Sequence, residues 1–376
     1  MTTVDGARLL ETFLDLVRID SPTGFEGACA RYCADALASA GCTVRFDDSA
    51  PATGSDTGNL IAVLPGTLPG TLGLSAHMDC VDPCRGVEPR VSDGVIVSVG
   101  DTVLGGDDKV GIAAAIEAIR CLAESDSDRP EVKAIFTVQE EIGLHGAKQL
   151  APADAACDLC LVLDAAGSPG GIVVGAPTHY TFKARFNGKA AHAGVQPELG
   201  ISAIHMAADA ICRMELGRLD EATTANIGSV RSDGATNVVA ARCDLAGECR
   251  SLVRERVEAV RTAMDSAMKD AASRYGGSVE IDWTLEYEGF SAGEDDPGVR
   301  LVSAACRDAG LTPSLYTTGG GSDANILAAL GIDTVALACG MSDVHGTGES
   351  LAIADMEALA ELVLAVARRM AVGGTR

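Results

Sequence analysis

Leu9, Leu10, Phe13, Leu14 and Val17 recur at helical spacing, which predicts an amphipathic helix over residues 4–18. A second helix is expected to open at Thr23, where Glu26 three positions on completes a capping-box pattern. Short apolar, β-leaning runs at 59–64, 71–75, 133–138 and 158–163 predict strands, and the alanine- and isoleucine-rich stretch 109–122 predicts a helix between them. Strands alternating with helices point to an α/β sheet covered on both faces. The pattern changes near Pro177. Residues 180–186 alternate one by one, as a half-exposed antiparallel strand does. A helix at 201–214, strands at 224–232 and 238–250, a charged helix at 253–275 and a strand at 279–288 follow. That order, β-α-β-β-α-β, is the ferredoxin-like one. From Pro297 the α/β character returns and the chain closes on a helix at 353–370. The expected organisation is a catalytic domain (1–176 and 292–376) interrupted by a smaller inserted domain (177–291).

Composition narrows the function. Twenty-nine basic against 53 acidic residues leave a formal net charge of −24 over 376 residues. Phosphate backbones and anionic membrane surfaces repel such a chain, so neither nucleic acid nor membrane is expected as a partner. Hydrophobic residues make up 47% of the chain, enough for a large core. The first ten residues lack the continuous apolar run of a signal peptide, and no stretch approaches the ~18 uncharged apolar residues of a membrane span. Thirteen cysteines at irregular spacing then read as free thiols in a reducing cytoplasm. The pairs Cys80/Cys84 and Cys157/Cys160 have metal-like spacing, but no second pair lies near Cys157/Cys160 and a cysteine zinc site is not expected.

With six histidines in the chain, each can be weighed. His77 follows the apolar run 72–76, and Asp79 two residues on points to the same side of an extended chain. A carboxylate so placed fixes the tautomer of a ligating imidazole. Gly105-Gly106-Asp107-Asp108 sits at a loop-to-helix junction; Glu140-Glu141 and Asp164 each end an apolar strand; His345 lies in a glycine-punctuated loop. In an open α/β sheet, ligands gather at the carboxyl ends of the strands. His77, Asp107, Glu141, Asp164 and His345 supply nitrogen and oxygen but no thiolate, a mixture that suits two zinc ions, or cobalt or manganese, bridged by one carboxylate. Glu140, beside a ligand, stands where a general base would act. Cys80 reads as a buried small side chain, His145 as ordering its turn, and His179 and His205 as structural.

At this point the chain resembles the M20 family of dinuclear zinc peptidases, in its peptidase T-like (tripeptidase-like) branch. The motifs that carry the match lie at 75–79, 104–111, 139–146, 188–199, 319–325 and 345–349, in family order and across essentially the whole chain. The resemblance implies a zinc-peptidase-type catalytic domain, with a mixed sheet and flanking helices, and an inserted ferredoxin-like lid and dimerisation domain. It implies that His77 and Asp164 complete one zinc site and Glu141 and His345 the other. Asp107 rather than Asp108 bridges them, because the family's bridging aspartate precedes the lysine by two residues. It gives Glu140 as general acid/base and Asp79 as the partner of His77. His192 matches a lid histidine that helps bind substrate and the oxyanion, contributed in dimeric members by the neighbouring subunit. Asn237 matches an asparagine that approaches the substrate, and Arg250 an arginine that holds a substrate carboxylate. Closure of the inserted domain is expected to bring Arg250 and His192 to the substrate.

The expected function is therefore a cytoplasmic, dinuclear metal-dependent aminopeptidase or tripeptidase acting on short peptides, with a homodimer through the inserted domain. On the same scaffold the alternatives are an amidohydrolase of N-acyl or N-carbamoyl amino acids, or a carboxypeptidase. A non-catalytic metal- or peptide-binding protein is the third reading, and an intact Glu140 argues against it.

Overall fold

Strands dense in aliphatic residues need cover on both faces, and four of them pair in parallel at the centre of a mixed sheet. In the computed structural model, which describes residues 3–373, these are Glu131–Thr137, Thr71–His77, Leu159–Ala165 and Thr334–Ala338, side by side in that order. Leu60–Leu64 and Thr43–Phe46 extend one side antiparallel, and Gly171–Ala176 pairs antiparallel on the other. The expected domain limits at residues 1 and 376 lie outside the described residues.

The helix Gly106–Ala123 is buried along almost its whole length, which explains its run of alanine and isoleucine. Gly111 allows it to approach the sheet closely. A Cβ at this position would stand 2.3 Å from the Leu163 carbonyl oxygen. Gly6–Arg18, capped by the Asp5 side chain on the Ala7 and Arg8 N–H groups, and Ile353–Gly373 pack around the same core. A second, small antiparallel sheet joins Met341–Ser342, Ser350–Ala352, Val95–Ser98 and Pro89–Ser92. No sequence pattern announces it, because its strands are short, Pro89–Ser92 largely exposed and Val95–Ser98 half-buried.

The chain forms two compact units. One runs to Val174 and continues through Ala292–Thr317 and from Ser322; the other comprises Gly175–Ser291 with Thr318–Gly321. Within the second, antiparallel strands lie in the order Gly217–Asp220, Thr223–Arg231, Arg242–Ser251, Thr178–Asn187, Ser278–Tyr287. The helices Ala203–Arg213 and Arg254–Tyr275 supply Met206, Val257, Met264 and Met268 to a core with Phe182, Phe186 and Leu245. This is the ferredoxin-like arrangement with one extra edge strand. Among the described residues, no helix is long and apolar enough to cross a membrane.

Two local expectations are corrected. The second helix spans Gly27–Ser39 and has no capping box. Thr23 gives its hydroxyl to Asp79, while the buried Glu26 carboxylate accepts from Ser55 and from the Gly24 and Gln139 N–H groups. The strand expected over 238–250 begins only at Arg242, since residues 236–241 form a turn and loop.

Candidate metal centre

Each strand of the parallel set ends where its last side chains leave the core. His77 closes its strand 2% exposed. Its Nδ1 lies 3.0 Å from the Asp79 carbonyl oxygen and 3.4 Å from Asp79 Oδ1, both acceptors, so Nδ1–H donates on this side and Nε2 is the ring nitrogen turned toward the other carboxylates. Nε2 stands 3.1 Å from Asp107 Oδ1 and 3.7 Å from Asp164 Oδ1. His345 Nε2 stands 3.1 Å from the other oxygen of Asp107 and 3.0 Å from Glu141 Oε2. The five side chains thus form two ligand trios, His77–Asp107–Asp164 and Asp107–Glu141–His345, each with its ligand atoms within 4.8 Å of one another. Asp107 is common to both. Asp108 is turned away, its Oδ2 accepting the His77 backbone N–H at 3.1 Å.

The local backbone explains how this geometry is held. Gln139 (φ 53°), Leu144 (φ 60°), Asp343 (φ 54°) and His345 (φ 64°) are non-glycine residues in the left-handed region. Such residues persist only where the surroundings dictate them, as they do beside functional groups. Glu349 ties the His345 loop to the Asp107 loop. Its carboxylate accepts the Gly105 N–H at 2.8 Å and the Asp107 N–H at 2.9 Å. Asp79 does similar service on the other side, accepting from Glu140 N–H at 3.0 Å, Glu141 N–H at 3.4 Å and Thr23 Oγ1 at 2.8 Å. Thr23 and Glu349 escape the sequence reading of roles. Thr23 lies in an ordinary turn, whereas Glu349, an acid at the end of a glycine-rich loop within a family motif, carried a usable signal.

The electrostatics report a site short of positive charge. Burial, then the charge of Asp107, pushes Asp164 up to about 7. Glu140 and Asp108 are raised well above the carboxylate range by burial and by Asp164. Burial works against ionisation of Asp107 as well, but His345 and His77 overcome it and hold its carboxyl low. His345, facing Asp107 and Glu141, is raised to about 10. Glu141 Oε1 is buried without a hydrogen-bond partner among the described residues. Packed carboxylates with unfilled lone pairs are costly in a protein interior unless cations compensate them. Imidazole nitrogen and carboxylate oxygen, three per trio, fit divalent ions that keep an open position for water or substrate. Cys80 lies buried with Sγ 3.5 Å from the Asp107 carbonyl oxygen, in neither ligand trio, and burial pushes its thiol up to about 12. His145 accounts for its turn, with Nδ1 3.2 Å from Gln139 Oε1.

The remaining predicted residues lie in the second unit. His192 is exposed and its Nδ1 accepts the Gly194 N–H at 3.1 Å; it forms a bridge with Val238, and the Asn237 carbonyl accepts the Ala193 N–H at 2.9 Å. His192 and Asn237 are therefore neighbours. Arg250 is not with them. It pairs in register with His179, near one end of the strand whose other end, Asn187, faces Arg242. Eight residues at 3.3 Å each place those ends roughly 26 Å apart. His192 bridges to Val238, beyond the Arg242 end, so within one copy of the unit Arg250 and His192 lie toward opposite ends of this sheet.

A parallel sheet with paired carboxylate–histidine trios at its carboxyl edge defines a metal-dependent hydrolase. Residues 73–369 match the profile of Peptidase family M20/M25/M40, and the chain belongs to that family. It is similar to the crystal structure of aminopeptidase PepT from Bacillus cereus ATCC 10987, with 41% identity, 98% of this chain and 99% of that chain covered, and a TM-score of 0.91. It is likewise similar to a tripeptidase from Staphylococcus aureus subsp. aureus Mu50, with 37% identity, 98% and 100% covered, and a TM-score of 0.94. The protein YqjE of Bacillus subtilis (strain 168) is 42% identical over 364 residues, 96% of this chain and 98% of its own length. The chain is a metallopeptidase of the peptidase T-like branch.

Proposed function

We propose that this chain is a tripeptidase-like aminopeptidase that removes residues from short peptides with a free amino terminus, using two divalent ions, zinc in the first place, with cobalt or manganese able to substitute. The observation that carries the reading is Asp107, whose two oxygens face His77 and His345 at 3.1 Å each. In this reading His77 and Asp164 would hold one ion and Glu141 and His345 the other, with Asp107 available to both. Such a pair supplies Lewis acidity that lowers the pKa of water and polarises the scissile carbonyl.

The protein's own groups do the rest. Glu140, whose backbone N–H is tied to Asp79 Oδ1, takes the proton of the attacking water and returns it to the leaving amine. Asp79 fixes the His77 tautomer. Arg250 pairs with the substrate carboxylate, and His192 and Asn237 contact the substrate and its developing oxyanion. Because Arg250 and His192 lie at opposite ends of one sheet, the same reading takes His192 from a second copy in a homodimer. Ile204, Val238 and Tyr275, exposed around a cavity of about 620 Å³ in the second unit, give that copy an apolar surface to cover. A cytoplasmic location belongs to the proposal, and all thirteen cysteines are free thiols.

The test is product analysis by mass spectrometry on zinc-loaded protein, with free di- and tripeptides, amino-blocked peptides and N-acyl amino acids. Cleavage confined to free-amino peptides, fastest for tripeptides, is expected. Turnover of blocked substrates alone would move the protein to the amidohydrolase or carboxypeptidase side.

A further inference from the structure

Arg250 does not stand free in its strand. Its Nε and Nη2 lie 3.3 and 2.8 Å from the two oxygens of Glu248, two residues earlier, and its Nη1 donates to the Tyr287 hydroxyl at 3.3 Å. The same Glu248 oxygen that takes Nη2 also takes His179 Nε2 at 2.9 Å. His179 Nδ1 is buried without a hydrogen-bond partner among the described residues, so the ring proton sits on Nε2 and the ring has one orientation that serves Glu248. The His179 ring packs against Tyr287 at a tilt of 57°, with centroids 5.2 Å apart. Tyr287 in turn is packed so closely that a Cβ on Gly321 would stand 2.3 Å from its ring.

The chemistry of the guanidinium turns this enclosure into a statement about recognition. A guanidinium has five N–H groups in one plane. Glu248 takes two along the side of Arg250 and Tyr287 one more. Two N–H groups, one on each terminal nitrogen, stay unassigned among the described contacts. With the Tyr287 hydroxyl on the Nη1 hydrogen nearer Cδ, the remaining two run parallel and match both oxygens of a carboxylate. The Arg250 side chain is 28% exposed and Glu248 31%, so the pair is reachable from solvent. Glu248 approaches from the side of the fork, on Nε and Nη2, and the Tyr287 hydroxyl lies on Nη1.

We propose that Glu248, steadied by His179 and Tyr287, is the positioning residue that orients the Arg250 fork for the terminal carboxylate of the peptide. The inference rests on the reading that Arg250 binds that carboxylate. Its sign is decided by competition between two effects. Removing the Glu248 charge leaves Arg250 more electropositive, which favours an anion, but it also releases a half-exposed side chain that can then rotate. Charge attraction at a half-exposed site is screened, whereas a two-point match is lost when the fork turns. Orientation wins.

The experiment measures steady-state kinetics of the full-length, zinc-loaded protein on one tripeptide and on its carboxy-terminal amide, for the parent, Glu248→Gln, Arg250→Ala and the double variant. Glu248→Gln is expected to raise KM for the free-acid peptide about tenfold, with kcat within threefold and the amide hardly affected. Arg250→Ala is expected to abolish the preference for the acid, and Glu248→Gln added to it to change KM no further. If Arg250→Ala leaves the preference intact, the reading of Arg250 fails. If Arg250→Ala abolishes it but Glu248→Gln leaves KM unchanged, lowers it, or depresses kcat for acid and amide alike, the positioning role of Glu248 is overturned. His179→Gln, which keeps a donor for Glu248, is expected to retain more of the preference than His179→Ala. Equal losses would count against the His179 part.

Discussion

Replacing Asp79 by asparagine removes one charge from a carboxylate that touches no ion itself. In the native chain its Oδ1 accepts the Glu140 N–H at 3.0 Å and lies 3.4 Å from His77 Nδ1, while Oδ2 accepts Thr23 Oγ1 at 2.8 Å and the Glu141 N–H at 3.4 Å. His77 and Thr23 hold this carboxyl below its ordinary range although burial pushes the other way, so the charge is present in the folded protein. Asparagine keeps one acceptor oxygen. Whichever way the amide turns, its NH₂ meets a backbone N–H, that of Glu140 or that of Glu141, beside which only the Thr23 hydroxyl can turn to accept, and one buried unsatisfied donor costs about 1–3 kcal/mol. Loss of such a partner of a ligating histidine weakens metal affinity about 10–100-fold, or roughly 1.4–2.8 kcal/mol at 1.4 per decade, and the two figures agree. The assay is a competition titration of metal-free Asp79→Asn and parent protein with zinc against a chelating dye, with circular dichroism to verify the fold. An affinity within twofold of the parent in a folded variant would refute the reasoning.

Glu140→Gln is expected to leave bound metal unchanged and to slow peptide hydrolysis by about 10²–10⁴, read as kcat alongside elemental analysis. Cys80→Ser should keep the metal stoichiometry and, in the cobalt-loaded protein, the same spectrum as the parent, because the buried thiol belongs to neither ligand trio. Gly111→Ala places a methyl group 2.3 Å from the Leu163 carbonyl oxygen and 2.5 Å from Asp108 Oδ1, so lost soluble yield and a lowered melting temperature are expected. His179, then Arg250, holds the Glu248 carboxyl down to about 2, against an ordinary 4.5. A depressed pKa stabilises the fold above the ordinary value and loses that contribution as pH falls from about 4.5 toward 2. The melting-temperature gap between parent and Glu248→Gln is therefore expected to stay constant from pH 8 to 5 and to shrink below 4.5; a gap that widens in acid would contradict the assignment.

Much of the site was legible because polar residues end apolar runs. His77, Glu141 and Asp164 each follow a stretch that has to be a buried strand, and parallel strands gather their carboxyl ends on one edge. The choice between Asp107 and Asp108 was not open to pattern. It depends on a backbone departure from helical geometry at the start of Gly106–Ala123, where Asp107 has φ −79° and ψ 104°. Glu26 shows the reverse failure. Its spacing from Thr23 advertises a capping box, but burial against Ser55 and Gln139 claims the carboxylate first. The small sheet around Val95–Ser98 stayed hidden because half-exposed short strands carry no alternating pattern. In the second unit the order of elements was readable from alternation and periodicity. The separation of Arg250 from His192 was not, because it depends on strand register.

The proposed mechanism turns on one paired centre, and the most direct measurement titrates metal-free protein with zinc while reading bound metal and tripeptide hydrolysis together. It predicts two ions per chain and activity that reaches its plateau at two equivalents, with Asp107→Asn failing to hold the pair and Glu141→Ala or His345→Ala retaining a single tight ion and little activity. A plateau at one equivalent, or full hydrolysis by Glu141→Ala with one ion bound, would contradict it.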